Sequence, residues 1–551
     1  MNPLKYNINI IGLLVLLMLQ STVSALTDGY PKNTKIDVLN YIFNLELSDV
    51  TDEILCEAVV DVKFLDVNVK TLRLDLIKRA DKLNGKGMKV SNVLSNGQDL
   101  KFSHINDELV ISLPELSQQH QRLKIIIKYK GVPATGLKIG NNKYGDRTFF
   151  SDNWPNRGRH WLPIIDHPYD KAMCEFIVTA PSHYQVVSNG LKIEETNLND
   201  DKKLTHWKQS VPIASWLYVL GVADFAVQYV SDFDGKSIQT WVFKQDRDAG
   251  FFDFAEPTKN VLEFYSNYIG PFSYEKLANI QSNSVSGGME AASAILYSDN
   301  SVKGDRNTRW RNVVIHEIAH QWFGNSVTEY DWDDVWLSEG FATYFTLLFI
   351  EHQYGREEFV HGLRDSQKRV DDFYEENPKY TIVHNNLKDM KEVTSSQTYQ
   401  KGSWILHMLR GVLGTDVFWQ GIKKYYAQYK DLTVSTDDFK RIMEEVSDQN
   451  LDTFFEQWLY EPGTLKLNGN WNYIEQDGEV LINLNQIQAD GSVFETPIEV
   501  QINYTNGEKE IKLIHLKNLV NNFRIKVGYK PEQIYLDPNY WVLMNADFRK
   551  L

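Results

Sequence analysis

Two histidines four positions apart, with a glutamate after the first, stand at His316-Glu317-Ile318-Ala319-His320. On a helix, positions i and i+4 share a face, so both imidazoles can reach one ion. The neighbours Val313, Val314, Ile315, Ile318, Ala319 and Phe323 are apolar, which predicts a buried helix that holds such ligands rigid. Zinc takes a third protein ligand, usually His or a carboxylate, and a catalytic site keeps a position open for water. Glu339 supplies that ligand, with eighteen residues between it and His320, in Trp336-Leu337-Ser338-Glu339-Gly340, where it opens the next predicted helix. A short connection would fold it back onto the first helix, giving one zinc ion per chain. Two neutral imidazoles and one carboxylate leave the ion with positive charge, which draws the pKa of bound water down to ~7 and polarises a carbonyl. Glu317, beside the same face, would take the water's proton and later pass one to a leaving amine. This is metal-assisted hydrolysis, and the ligand set points to an amide substrate. Taken singly, Glu339 also fits as a first-turn carboxylate favoured by the helix dipole, and each histidine as a packed side chain.

The elements that must position these residues fall into three stretches. From about Lys35 to Val230, segments such as EAVVDVKFLDV and RLKIIIKYKG alternate apolar and polar residues, as half-buried antiparallel strands do. Asn96-Gly97 and Asn189-Gly190 mark turns. After about Asp232 the period becomes helical, in DFAEPTKNVLEFYSNYIG, RNTRWRNVVIHEIAHQWFG, LSEGFATYFTLLFIEHQYG and the stretches that follow. Gly324, Gly355 and Gly414 are placed as helix ends, and Ser435 to Asp438 as a capping box. Beyond Pro462-Gly463 the period returns to two, with Asp477-Gly478, Asp490-Gly491 and Asn506-Gly507 between strands, which predicts a small β-sandwich. The expected organisation is therefore multidomain α+β: a β-rich domain over 26–231, a mostly helical catalytic domain over 232–463 and a β-sandwich over 464–551.

Residues 1–25 read as an export signal and not as part of the fold. Lys5 supplies the positive start, Ile8 to Leu19 a twelve-residue apolar run, and Val23-Ser24-Ala25 the small residues before a cleavage site. The run is short for ~30 Å of hydrocarbon, so no stable membrane anchor is expected after cleavage. The mature enzyme would be periplasmic or extracellular. A formal net charge of −15 makes nucleic acid and anionic membrane unsuitable partners. Cys56 and Cys174 are the two cysteines, and one disulfide or two buried thiols both fit.

With these motifs in view, the sequence resembles the aminopeptidase N and leukotriene hydrolase family of gluzincin metallopeptidases over nearly the whole mature chain. HEIAHQWFGN and WLSEGFATYF match the family's zinc signature, Gly287-Gly288-Met289-Glu290-Ala291 its Gly-Ala-Met-Glu-Asn element, and Tyr399-Gln400-Lys401-Gly402 its tyrosine motif. Arg159-His160-Trp161-Leu162-Pro163 with Asp166-His167-Pro168 is similar to a landmark of its first domain. The resemblance implies an N-terminal β-saddle, a thermolysin-like catalytic domain, and aminopeptidase activity on peptides with a free amino terminus. It assigns Glu290 to the substrate's ammonium group, Tyr399 to the oxyanion, and Gly287 and Gly288 to close approach of the peptide. Ala291 departs from the family's Asn, removing an amide that could orient neighbouring backbone. Lys391 stands eight positions before Tyr399, where some relatives that prefer basic residues carry a carboxylate, so basic first residues are expected to be disfavoured. Asp152, Asn153 and Trp154 fall near the family's first pocket. Many members continue into a large helical domain, and without it the cleft is expected to be more open. A metallo-endopeptidase, an epoxide-opening hydrolase and an inactive binding protein are the competing functions on such a scaffold.

Overall fold

A computed structural model of the chain describes residues 28–384, 387 and 389–551, so the expected export signal lies outside the described residues. No described helix is long and apolar enough to cross a membrane. Alternation dictates the first region. The strand Ile36–Glu46 buries nearly every second residue, pairs antiparallel with Ile54–Phe64 and parallel with Lys171–Pro181, and lies inside an eight-stranded sheet. A smaller sheet of four strands includes Arg147–Ser151, which delivers Asp152 to Trp154 to the edge of this region. Asn96 and Gly97 both take positive φ, as the Asn-Gly turn requires. Cys56 and Cys174 are buried and unpaired, which decides between the two possibilities the sequence left.

The middle region carries the helices Arg247–Tyr268, Thr308–His320, Trp336–Tyr354, Arg356–Glu376, Gly402–Leu413, Thr415–Tyr429 and Thr436–Ser447. Gly355 and Gly414 follow helix ends with positive φ, and the Ser435–Asp438 capping box forms. Gly324, by contrast, sits in the turn after a helix that already ends at His320. This region also holds a five-stranded sheet that periodicity does not reveal, in the order Phe225–Phe233, Lys236–Phe243, Lys276–Ser282, Ala294–Ser298, Gly288–Met289. Lys276–Ser282 and Ala294–Ser298 are buried at every position, so they show no alternation to read. The strand Phe225–Phe233 runs across position 231 and pairs with Lys236–Phe243, so this sheet begins before the junction expected there.

Two further sheets close the chain: Val520–Lys526, Glu479–Gln486, Leu465–Ile474 and Met544–Lys550 in one, Lys509–Leu516, Thr496–Tyr504 and Pro531–Leu536 in the other. A half-buried lysine fastens the first region to the second. Lys171 Nζ, on a sheet strand, donates to the carbonyls of Asn325 and Ser326 and to Thr328 Oγ1 at 3.0, 2.7 and 3.0 Å. Those acceptors lie in the segment between the two helices that carry His320 and Glu339.

Candidate metal centre and catalytic cleft

The helix Thr308–His320 starts on Asn307, whose side chain accepts from Arg309 N, and buries Val314, Ile315, Ile318 and Ala319. That burial fixes the imidazoles of His316 and His320 on one side. The chain then turns, and Trp336–Tyr354 brings Glu339 back against them. His320 Nε2 and His316 Nε2 are 3.1 Å apart, and Glu339 Oε2 lies 3.1 Å from the first and 3.4 Å from the second. A tetrahedral zinc with ligands at ~2.0–2.1 Å has ligand–ligand edges of about 3.3 Å, so the three atoms already mark one face of that tetrahedron. The tautomer suits it. His320 Nδ1 faces the carbonyl of Phe323 at 3.1 Å and Ser338 Oγ at 3.1 Å, and a carbonyl can only accept. The neutral ring therefore carries its hydrogen on Nδ1, which leaves the Nε2 lone pair for an ion at the centre. Glu339 Oε2 is buried without a hydrogen-bond partner among the described residues. The residues fit a zinc ion.

Electrostatics ask for positive charge at the same place. Burial alone would lower His320, but the Glu290, Glu339 and Glu317 carboxylates outweigh it and lift the ring to about 10. Burial alone would raise Glu339, and the neighbouring imidazoles hold it at about 2 instead. His316 is pushed down by burial. Glu317 is pushed well above the usual carboxylate range by burial and by the Glu290 charge. Glu290 is lifted to about 7 by burial, with Glu339 adding and His320 opposing. One atom each of Glu290, Glu317 and His320 lie within 4.8 Å of one another. Glu290 Oε1 has no hydrogen-bond partner among the described residues.

The other residues singled out from the sequence converge here, for reasons that are partly new. A Cβ on Gly288 would stand 2.1 Å from Glu317 Oε1, so its missing side chain makes room for the carboxylate; Gly287 has nothing within 4 Å. Met289 and Ala291 are buried on either side of Glu290. The Glu290 carbonyl accepts from Gln321 Nε2 at 2.9 Å and Asn325 Nδ2 at 2.5 Å. Gln321 and Asn325 thus hold the strand that presents Glu290, although Ala291 has no amide to offer. Both belong to the HEIAHQWFGN stretch, and polar residues closing an otherwise apolar helix were the available signal for them. Tyr399 sits on a π-helical turn, Gln397–Lys401, and its hydroxyl donates to Glu339 Oε1 at 2.7 Å. A glycine crossing allows this contact: a Cβ on Gly340 would come within 2.9 Å of Gly402 Cα.

Asp152 pairs with Arg157 at 2.5 Å, and Trp154 packs edge-on against Trp216 and Trp332. Both line a cavity of about 540 Å³ with Gly287, Gly288 and Met289. Asn153 is turned inward, donating to the Tyr218 carbonyl and accepting from Trp161 Nε1. Arg159 grips Asp166 inside the first region, and Lys391 is exposed.

Comparison with known proteins gives the chain a family. The family model described as "Peptidase family M1 domain" matches residues 254–458, and "Peptidase M1 N-terminal domain" matches 56–217. Probable aminopeptidase 1 of Sulfurisphaera tokodaii is 24% identical over 85% of this chain and 63% of its own length. Aminopeptidase A of Gloydius brevicauda is 30% identical over 69% of this chain and 42% of its own. Glutamyl aminopeptidase of Homo sapiens is 28% identical over 58% and 35%. The chain belongs to peptidase family M1. It spans less than two thirds of the length of these relatives.

Proposed function

We propose that the chain is a zinc aminopeptidase that hydrolyses the first residue from peptides with a free amino terminus. The supporting observation is a charge balance. Glu290, Glu317 and Glu339 are three buried carboxylates gathered around His320. A dication on His316, His320 and Glu339 and a substrate ammonium on Glu290 would cancel them. A chain interior brings no such ammonium, so Glu290 favours exopeptidase over endopeptidase action.

Bound zinc supplies a Lewis acid that polarises the scissile carbonyl and acidifies a water. Glu317, beside the same centre, would take the water's proton and return it to the leaving amine. Burial and Glu339 keep the Tyr399 phenol protonated. Its hydroxyl can exchange Glu339 for the oxyanion of the tetrahedral intermediate. The segment from Gly287 to Ala291, which contains the short strand Gly288–Met289, is the wall along which the peptide would lie, with Asp152 and Trp154 lining the same cavity.

Two secondary readings follow. Lys391 disfavours basic first residues, and the human relative's name makes glutamate a residue to try. Residues 1–25 are an export signal, so secreted protein should begin at Leu26 on N-terminal sequencing. We read the domains as in the sequence, the last a β-sandwich, with the first junction drawn ahead of Phe225. A panel of aminoacyl reporters, with and without a chelator, tests the main reading. Turnover that survives zinc removal, or N-acetylated peptides cut as fast as free ones, would overturn it. Arginine and lysine as the best first residues would overturn the reading of Lys391.

A further inference from the structure

A second acidic feature lies outside the catalytic cleft. A groove of about 850 Å³ runs between the turn that precedes the Glu339 helix, the Thr436–Ser447 helix and the start of the C-terminal sheets. None of His316, Glu317, His320, Glu339, Glu290 or Tyr399 lines it. Eight carboxylates do, against one lysine, Lys440, which is already committed to Asp452 at 2.7 Å and Asp437 at 3.9 Å.

The carboxylates differ in what they already hold. Asp331 is paired with Lys32 at 2.8 Å, and Asp334 accepts from Thr436 Oγ1 at 2.6 Å. Asp333 is 3% exposed, and neither of its oxygens has a hydrogen-bond partner among the described residues. Its nearest basic atom, His384 Nδ1, is 3.7 Å away. Burial, with Asp331, Asp28 and Asp334 adding, pushes the Asp333 carboxyl up to about 7. A buried acid beside other acids, with no hydrogen-bond partner among the described residues, is a costly arrangement that a cationic ligand would relieve. The clusters of three metal-ligand atoms within 4.8 Å of one another, among the described residues, do not include Asp333. Asp331 does fall in one, with Asp28 and His167, but it is paired with Lys32; at Asp333 a metal ion would lack further ligands, whereas a guanidinium or ammonium brings its own donors and needs one strong acceptor. Val383, Phe455 and Tyr460 line the same groove and can cover the methylene stem of a long basic side chain.

We propose that this groove binds a lysine or arginine side chain of a peptide, with Asp333 as its counter-charge. The peptide is a segment of a separate chain, since none of the metal-centre residues, Glu290 or Tyr399 lines the groove, and the distal part of a substrate is the alternative that the test separates. Calorimetric titration of the zinc-loaded protein with N-acetyl-Gly-Arg-Arg-Gly-amide and its Gln-Gln counterpart tests this, since the acetyl group removes the amine that the catalytic cleft would recognise. The arginine peptide should bind once per chain and at least about tenfold more tightly than the glutamine peptide, the scale of one charge-assisted hydrogen bond. Asp333→Asn should remove that advantage. Lys440→Gln should tighten binding by roughly two- to fivefold, as loss of a screened like charge does, and it keeps the test open should the buried variant fail to fold. Turnover of a leucyl reporter should stay within about twofold in both, because neither residue touches the reacting atoms. Equal affinity for the two peptides, indifference to both variants, or displacement of the peptide by micromolar calcium would overturn the proposal. In a second arm, free-amino hexapeptides with arginine or glutamine near the carboxyl end are compared. A KM advantage for arginine that Asp333→Asn abolishes identifies the substrate's own tail, and binding without it identifies a separate chain.

Discussion

Gly288→Ala is the sharpest probe of how Glu317 is positioned. The added Cβ would stand 2.1 Å from Glu317 Oε1, 2.3 Å from Cδ and 2.4 Å from Cγ, where ordinary contacts begin at 3.4 Å. The carboxylate must retreat by about 1.3 Å. A bend at its tip does not suffice, because Cγ is struck as well. Misplacement of a reacting group by ~1 Å costs about 10²-fold in rate, or roughly 2.7 kcal/mol of barrier. The loss should appear in kcat. The zinc ligands are untouched, so metal content should stay at one per chain, while the melting temperature should fall, because a buried side chain is displaced even though the backbone at Gly288 needs no positive φ. Gly287→Ala is the internal control: no atom lies within 4 Å of its Cβ, so kcat should hold within about threefold, and any loss should fall on KM, where the peptide lies. The assays are steady-state kinetics on a leucyl reporter, metal analysis and thermal melting. Gly288→Ala retaining more than about half of wild-type kcat, or losing zinc in step with activity, would refute this account of the glycine.

Four further outcomes are expected. Glu317→Gln should lower kcat by at least about 10²-fold with zinc retained, since it removes the base and no ligand; metal analysis alongside kinetics checks it. Glu290→Ala should raise KM for free-amino peptides and narrow the gap to N-acetylated ones, which competition between the two substrates measures. Zinc uptake should release at least about one proton per ion at pH 8: His320, lifted to about 10 by its acidic neighbours, must be neutral to ligate, Glu339, at about 2, is already ionised, and a bound water with a pKa of ~7 adds to the release. Apparent affinity should then weaken about tenfold per pH unit on acidification, and calorimetry in buffers of different ionisation enthalpy that detects no proton release would contradict it. Lys276 is fully buried, donates to the Ser188 carbonyl at 2.8 Å, and is lowered by burial to about 7. Its folded pKa lies below the unfolded value of 10.5, so the unfolded chain binds more protons between those values. This residue's contribution to stability should therefore rise as pH climbs from about 7 to about 10.5, with its full penalty present below 7. Lys276→Met should flatten the slope measured by denaturant titration across that range.

The sequence by itself determined the local chemistry. His316 and His320 share a helix face because 3.6 residues per turn leaves them no choice, and the apolar neighbours made that helix buried before any coordinate was known. The alternation of Ile36–Glu46 and Ile54–Phe64 made the first region β-rich, and Ser435 to Asp438 announced a helix start that forms as written. The sheet containing Lys276–Ser282 was hidden because strands buried on both faces carry no period. Tertiary structure alone decided the distances. Residues 316, 320 and 339 form one face of a tetrahedron only because the second helix folds back, and Tyr399 reaches Glu339 only because Gly340 and Gly402 let two helices touch. Tertiary structure likewise showed that Gly288 makes room for Glu317, and left Asp333 buried with no hydrogen-bond partner among the described residues. Periodicity along a chain records which face an element buries. It holds no record of what another element, distant in sequence, brings against that face.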